Sequence, residues 1–258
     1  MPAHPLTILG CRPIIGHRGA AGLAPENTIP SFDLALTQGA DALEFDVHVS
    51  ADGVPVVHHD PTLDRTTDSI GPLVARTAAE LARVDAGARF SPDGLNYPFR
   101  GLGLGVPTLA QVLDRYPLTP LLIELKVAAA AGPVAALIRA TRAFDRCIVA
   151  SFIHQAVVPF QQPPFLAGAS RRGIVQLWLR SNLGIPISPE RFAAYAVPAR
   201  YKDRIPVPTR RFMAAAARLG SPVHVWTVDE AALAIERWKR GAAGLVTNFP
   251  GRMVGLRA

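Results

Sequence analysis

Cysteine and lysine are both scarce in this chain. Cys11 and Cys147 are its only thiols. They fit neither a CxxC pair nor a Cys/His spacing, which removes a disulfide scaffold, a thiol redox centre and a structural zinc site. Both are expected to be buried and reduced. No run approaches the roughly 18 apolar residues of a membrane span. The opening MPAHPLTILGCRPIIG has no positive region and is broken by proline, so no signal peptide is expected and the chain reads as cytoplasmic. Low-complexity tracts and solenoid repeats are missing too. Only 18 % of residues are charged against 49 % apolar, which excludes disorder and leaves material for a large interior. The net charge of +7 comes from 24 Arg and 3 Lys against 20 acids. The arginines stand singly or in pairs such as Arg171-Arg172 and Arg210-Arg211, not in a run. Such a surface favours anionic small molecules, and without a groove-reading motif nucleic-acid binding is the weaker alternative.

What the chain does have is alternation. Short apolar runs rich in β-branched residues recur at 13–19, 42–50, 54–60, 120–126, 147–152, 173–179, 195–201, 222–228 and 244–248. Capped helical patterns lie between many of them: Asn27 ahead of Pro30 with Gly39 behind, a Thr108/Gln111 capping box, and Asp229 opening a stretch closed by Gly241. Strand and helix in repeated order mean a parallel sheet, and 258 residues suit a single (β/α)8 TIM barrel spanning 1–258. Nine runs exceed eight staves by one. The SADG between Ser50 and Gly53 is too short for a crossover, so 54–60 is predicted to return as a hairpin turned at Asp52-Gly53. Residues 61–106 break the pattern with Gly, Pro and aromatics, and read as a small insertion subdomain after the HHD segment.

Glu44 and Asp46, two apart on a strand, project from one face, and Glu124 stands near the end of another strand. Barrel enzymes keep their active sites at such ends. Close carboxylates repel unless a cation or basic groups answer them. Three of them without cysteine suit one hard divalent cation, Mg²⁺ or Ca²⁺. A purely structural ion-pair cluster with Arg18 and Lys126 is the plain alternative. His17 in GHRG and His59 in HHD form a candidate acid/base pair. Arg18 and Lys126 supply charge for a phosphate, and Phe152 and Trp226 an apolar wall for a substrate. His48 reads as an exposed or supporting residue.

HRGAAGLAPENT (17–28), EFDVHVSADGVPVVHHDPTLDRTT (44–67), VPTLAQVL (106–113), IELK (123–126), SF (151–152) and VWTVDE (225–230) together strongly resemble the glycerophosphodiester phosphodiesterases. The likeness spans nearly the whole chain and is weakest from 155 to 210. It implies a (β/α)8 barrel with an insertion and metal-assisted cleavage of a glycerophosphodiester. It also implies Glu44, Asp46 and Glu124 as metal ligands, with Mn²⁺ a further candidate ion, His17 and His59 as acid and base, Arg18 and Lys126 on the phosphate, and Trp226 facing the glycerol. His59 is preferred over His58 because the family's histidine directly precedes the aspartate. Asn248 departs from the family, which usually has aspartate there. A lysophospholipid phosphodiesterase using the same site is the nearest alternative, and a metal-free barrel glycosidase a more distant one.

Overall fold

The computed structural model describes residues 4–187, 192–200 and 207–257. Among them are nine strands: β1 Ile14–His17, β2 Ala42–Val49, β3 Pro55–Val57, β4 Leu121–Leu125, β5 Cys147–Ala150, β6 Leu166–Ala167, β7 Tyr195–Pro198, β8 Val223–Trp226 and β9 Gly244–Thr247. All but β3 run parallel, in the order β6, β5, β4, β2, β1, β9, β8, β7. The ends of that row meet through a parallel bridge of Gly168 with Ala194, where the amide of Ala169 donates to Ala194 O at 2.9 Å and that of Ala193 to Ala167 O at 2.7 Å. Eight parallel strands therefore close into a barrel. β3 pairs antiparallel with β2, the hairpin predicted for the surplus run, turning at Gly53 with φ +79°.

The helices are α1 Ile29–Thr37, α2 Ala78–Leu81, α3 Leu109–Arg115, α4 Ala131–Thr141, α5 His154–Val157, α6 Arg171–Leu183, α7 Arg210–Arg218, α8 Ala231–Lys239 and α9 Pro250–Val254. The Thr108/Gln111 capping box starts α3 as expected. Four expectations are corrected. The run 173–179 is not a strand but part of α6. Ser170 caps it, Gly184 ends it at φ +72°, and Ile174, Leu177 and Trp178 recur at helical spacing. The fifth stave is instead the two-residue β6, too short to show a pattern. Thr28, not Asn27, is the N-cap residue of α1, and Glu230, not Asp229, that of α8. Cys147 is buried as expected, while Cys11 is exposed.

β2 shows how sequence alternation sorts the two sides of the barrel wall. Leu43, Phe45 and Val47 join Phe32, Ala35 and Val112 in the core between sheet and helices, with the Phe32 and Phe45 rings 5.5 Å apart. Ala42 instead joins Ile15, Leu122, Ile148, Ala150 and Val246 inside the barrel, where Leu6 of the N-terminal segment completes the cluster. Leu6 is pinned there by His224, whose Nε2 donates to its carbonyl at 2.9 Å. Residues of the 61–106 stretch form a separate small cluster, Leu63, Leu73, Leu81, Ala86 and Val106, against Val56. Phe45→Ala is expected to cost about 3 to 5 kcal/mol in urea unfolding, and a loss below about 1 kcal/mol would place the β2 outer face outside the core.

Candidate active site

His17 ends β1, Glu44 and Asp46 lie on β2, and Glu124 lies on β4. The register sets His17 beside Glu44 and Asp46 beside Glu124. Neighbours in register share a face, so these side chains converge inside the barrel above a floor of Leu122, Ala150 and Val246. One cavity of about 120 Å³ is lined by His17, Arg18, Glu44, Asp46, His59, Glu124, Lys126, Phe152 and Trp226. These are the nine side chains singled out in the sequence. A larger hollow of about 640 Å³ between Leu113, Asp114, Arg142 and Arg146 has neither clustered carboxylates nor a histidine pair. Chemistry, not volume, selects the site.

Glu44, Asp46 and Glu124 each offer an oxygen, all within 4.8 Å of one another. Burial raises the Glu44 carboxyl well above the ordinary range, and the charges of Asp46 and Glu124 add to the rise. Burial raises Glu124 as well, against the pull of Lys126. Two cations answer the cluster in part. Lys126 Nζ stands 2.8 Å from Glu124 Oε1 and 3.2 Å from Asp46 Oδ1. Arg18 Nε stands 3.1 Å from Asp46 Oδ2, close enough for ion pairing but without hydrogen-bond geometry. Among the described residues Glu44 accepts only the backbone N–H of Arg18, at 3.0 Å. Three carboxylates and two cations leave room for further positive charge, and a donor set of oxygens alone fits a divalent cation.

Each histidine is aimed by a second residue. His17 Nδ1 lies 2.7 Å from Asn248 Oδ1, while Asn248 gives its Nδ2 and backbone N–H to Asp229 at 2.7 and 2.8 Å. A carboxylate only accepts, so Asp229 fixes which end of the amide faces His17. An amide oxygen also only accepts, so Nδ1 carries the proton and Nε2 is left with its lone pair. Burial and then the Arg18 charge lower the pKa of His17, favouring this neutral form. His59 Nδ1 donates to Asp60 Oδ1 at 2.6 Å. Its backbone carbonyl accepts from His48 Nε2 at 3.1 Å, so His48 is a buried support for the active-site strand ends and not an exposed residue. His58 is buried too, its Nε2 turned to Thr62 O at 3.1 Å, which leaves His59 to line the cavity.

The supporting residues were the ones missed in the sequence. Arg65 forks onto Glu26 at 2.7 and 2.8 Å and reaches Asp60 through Nε at 2.5 Å. Glu26 in turn holds Arg18 at 2.8 Å. Arg65 therefore links the carboxylate that aims His59 to the one that steadies Arg18. Asn27, read as a helix cap, gives Nδ2 to Asp46 Oδ2 at 3.0 Å. Arg18 and Asn27 both have left-handed backbone, φ +50° and +60°, and the Asn27 amide donates to Arg18 O at 3.0 Å. The signal was present: Glu26, Asn27, Asp60 and Arg65 all lie inside the PENT and HDPTLDR stretches. Phe152 and Trp226 close the cavity on its apolar side, rings edge to face with centroids 6.0 Å apart.

A model of the glycerophosphoryl diester phosphodiesterase family matches residues 17–156. A protein of Bacillus subtilis (strain 168), named provisionally as a glycerophosphodiester phosphodiesterase, is 34 % identical over 92 % of this chain and 94 % of its own length. A glycerophosphodiester phosphodiesterase of Caldanaerobacter subterraneus is 29 % identical over 94 % of this chain and 96 % of its own. An Oleispira antarctica phosphodiesterase, solved in complex with its product sn-glycerol-3-phosphate, superposes with a TM-score of 0.70 at 25 % identity, over 95 % of this chain and 96 % of that one.

The Arg65 clamp has a signature in acid. Burial works to raise the Glu26 carboxyl, but the Arg65 hydrogen bonds and the charges of Arg18 and Arg65 hold it at about 2, against an ordinary 4.5. The folded value lies below the unfolded one, so this stabilisation is complete above the ordinary value and drains away as pH falls toward 2. Urea unfolding should show that Glu26→Gln abolishes about 2 kcal/mol of the stability lost between about pH 6 and about pH 3. Parallel losses in both proteins would contradict the clamp.

Proposed function

The chain belongs to the glycerophosphoryl diester phosphodiesterase family, and from that premise we propose that it hydrolyses glycerophosphodiesters to glycerol 3-phosphate and an alcohol by acid/base catalysis with His17 and His59. The observation that carries the reading is the single cavity shared by the acidic triad, both histidines, Arg18 and Lys126. The substrate phosphate sits between Arg18 and Lys126, which offset the negative charge that grows as the phosphorus is attacked. His17, neutral with its Nε2 lone pair available, takes the proton from the attacking hydroxyl. His59, oriented through Nδ1 by Asp60, delivers a proton to the departing alkoxide. Trp226 and Phe152 wall the glycerol side. A divalent cation held by Glu44, Asp46 and Glu124, Mg²⁺ or Ca²⁺, would polarise a phosphoryl oxygen. The 61–106 stretch is read as a subdomain inserted into the barrel that brings Arg65 to the rim. Nothing in the family match or the relatives favours the glycosidase or the nucleic-acid-binding alternative.

His17→Ala and His59→Ala should each lower kcat on glycerophosphocholine by about 10² to 10⁴, with far-ultraviolet circular dichroism unchanged; retained turnover in either refutes its role. EDTA should abolish turnover and an added divalent cation restore it. Arg65 acts only through its partners. Arg65→Ala should cost roughly tenfold to a hundredfold in kcat, and Arg65→Lys should recover part of it, because one ammonium cannot fork onto two carboxylates.

A further inference from the structure

Asp46 is almost wholly buried, and its two oxygens face different surroundings. Oδ2 accepts Asn27 Nδ2 at 3.0 Å and stands 3.1 Å from Arg18 Nε. Oδ1 stands 3.2 Å from Lys126 Nζ, and that ammonium also meets Glu124, so Oδ1 is the oxygen turned toward the cluster. Asn27 holds its neighbour at a second point, because its own Oδ1 accepts the Asp46 backbone N–H at 3.3 Å. One asparagine thus clips both the carboxylate and the backbone of Asp46. Asn27 is itself fixed: it is 3 % exposed, its backbone is left-handed at φ +60°, and its amide donates to Arg18 O at 3.0 Å. For Asp46 to grip an ion with both oxygens, its carboxylate would have to leave the Asn27 amide buried and unpaired, which is costly. Glu44 follows the same pattern, with Oε2 held by the Arg18 backbone N–H at 3.0 Å.

Divalent ions differ in what they ask of such a set of oxygens. Ca²⁺ takes about 6 to 8 of them and readily draws two from one carboxylate, whereas Mg²⁺ demands a near-ideal octahedron and keeps several waters. Mn²⁺ also suits an octahedral shell of oxygens. Three carboxylates giving one oxygen each fill half of an octahedron and leave the other half for water or phosphoryl oxygens. Resting on the reading of the triad as a cation site, we propose that Asn27 is the positioning residue that selects the ion: it holds Asp46 to one-oxygen coordination and so turns the triad toward Mg²⁺ or Mn²⁺ and away from Ca²⁺. The left-handed turn that Arg18 and Asn27 share sets both restrained oxygens, Oε2 of Glu44 and Oδ2 of Asp46. Asn27 does this without lining the cavity, so its effect passes through Asp46 alone.

The test compares the dissociation constants of Mg²⁺, Mn²⁺ and Ca²⁺ for the metal-stripped protein with those for Asn27→Gly, without substrate. Glycine keeps the left-handed backbone free of strain and removes only the clip. The unaltered protein should bind Mg²⁺ and Mn²⁺ at least as tightly as Ca²⁺. In Asn27→Gly the ratio of the Mg²⁺ to the Ca²⁺ dissociation constant should rise about tenfold, because the freed carboxylate can turn both oxygens to the larger ion. Both constants come from one preparation, so partial misfolding cancels from the ratio. With Mn²⁺ as the probe, water-proton relaxation should report fewer waters on the bound ion in the variant, where the second Asp46 oxygen takes a place. Tightest binding of Ca²⁺ by the unaltered protein, or the same ratio in both proteins, overturns the role of Asn27 and leaves the cation site standing. Loss of every ion in Asn27→Gly overturns it too, since the residue then holds the cluster together without sorting ions. No binding of any ion by the unaltered protein overturns both the proposal and the cation site.

Discussion

Mutual repulsion among Glu44, Asp46 and Glu124 is the constraint around which the upper half of the barrel is arranged. Their oxygens lie within 4.8 Å of one another inside the barrel, where water screens them little and like charges are costly. Much of the surrounding sequence answers that cost. Lys126 and Arg18 press against Asp46, Asn27 gives it an amide hydrogen, and the backbone of Arg18 reaches Glu44. The left-handed turn at Arg18 and Asn27 makes the last two contacts possible. Hydrophobic packing alone explains none of this, because the floor of Leu122, Ala150 and Val246 is indifferent to what lies above it. A site that is unfavourable by itself and complementary to a cation and an anionic substrate is what phosphodiester chemistry requires.

The two histidines of the cavity differ in the partners that aim them. His17 meets an amide and His59 a carboxylate, so the two identical side chains, each turned by its Nδ1 toward an oxygen, have a neutral partner in one case and a charged one in the other. Asn248, the residue that departs from the family pattern, keeps the geometry by relaying Asp229 to His17. The negative charge is thereby set back behind a neutral amide, which suits the proposed role of His17 as a base that starts in its neutral form. On the other side of the cavity Arg65 couples Asp60 to Glu26, and through Glu26 to Arg18. The groups proposed to move protons and to hold phosphate are thus braced by one exposed arginine.

Much of this was legible in the sequence, and the parts that were not share a cause. The alternation of ALEFDVHV marks both faces of β2, and the shortness of SADG forces the hairpin, so the placement of Glu44, Asp46 and His59 follows from local chemistry. Position at the ends of distant strand runs brings in Glu124, Lys126 and Trp226, the motif resemblance gives them expected roles, and the cavity contains all of them. The failures were where local signals were weak or mimicked something else. GIVQLWL carries β-branched residues but helical spacing, and the two-residue β6 is defined by its neighbours alone. Asn27 and Asp229 look like helix caps because a cap and a site support use the same short polar side chains. Arg65, one of 24 arginines, gains its meaning only when Glu26 and Asp60 are brought to it by the fold.

The central claim is that the three carboxylates together form one cation site. Calorimetric titration of Mg²⁺, Ca²⁺ and Mn²⁺ into metal-stripped protein and into Glu124→Gln tests it directly, independently of any substrate. The account predicts one ion bound per chain by the unaltered protein and binding weakened at least about tenfold in the variant. Equal binding by the two proteins, or no binding by the unaltered one, would contradict it.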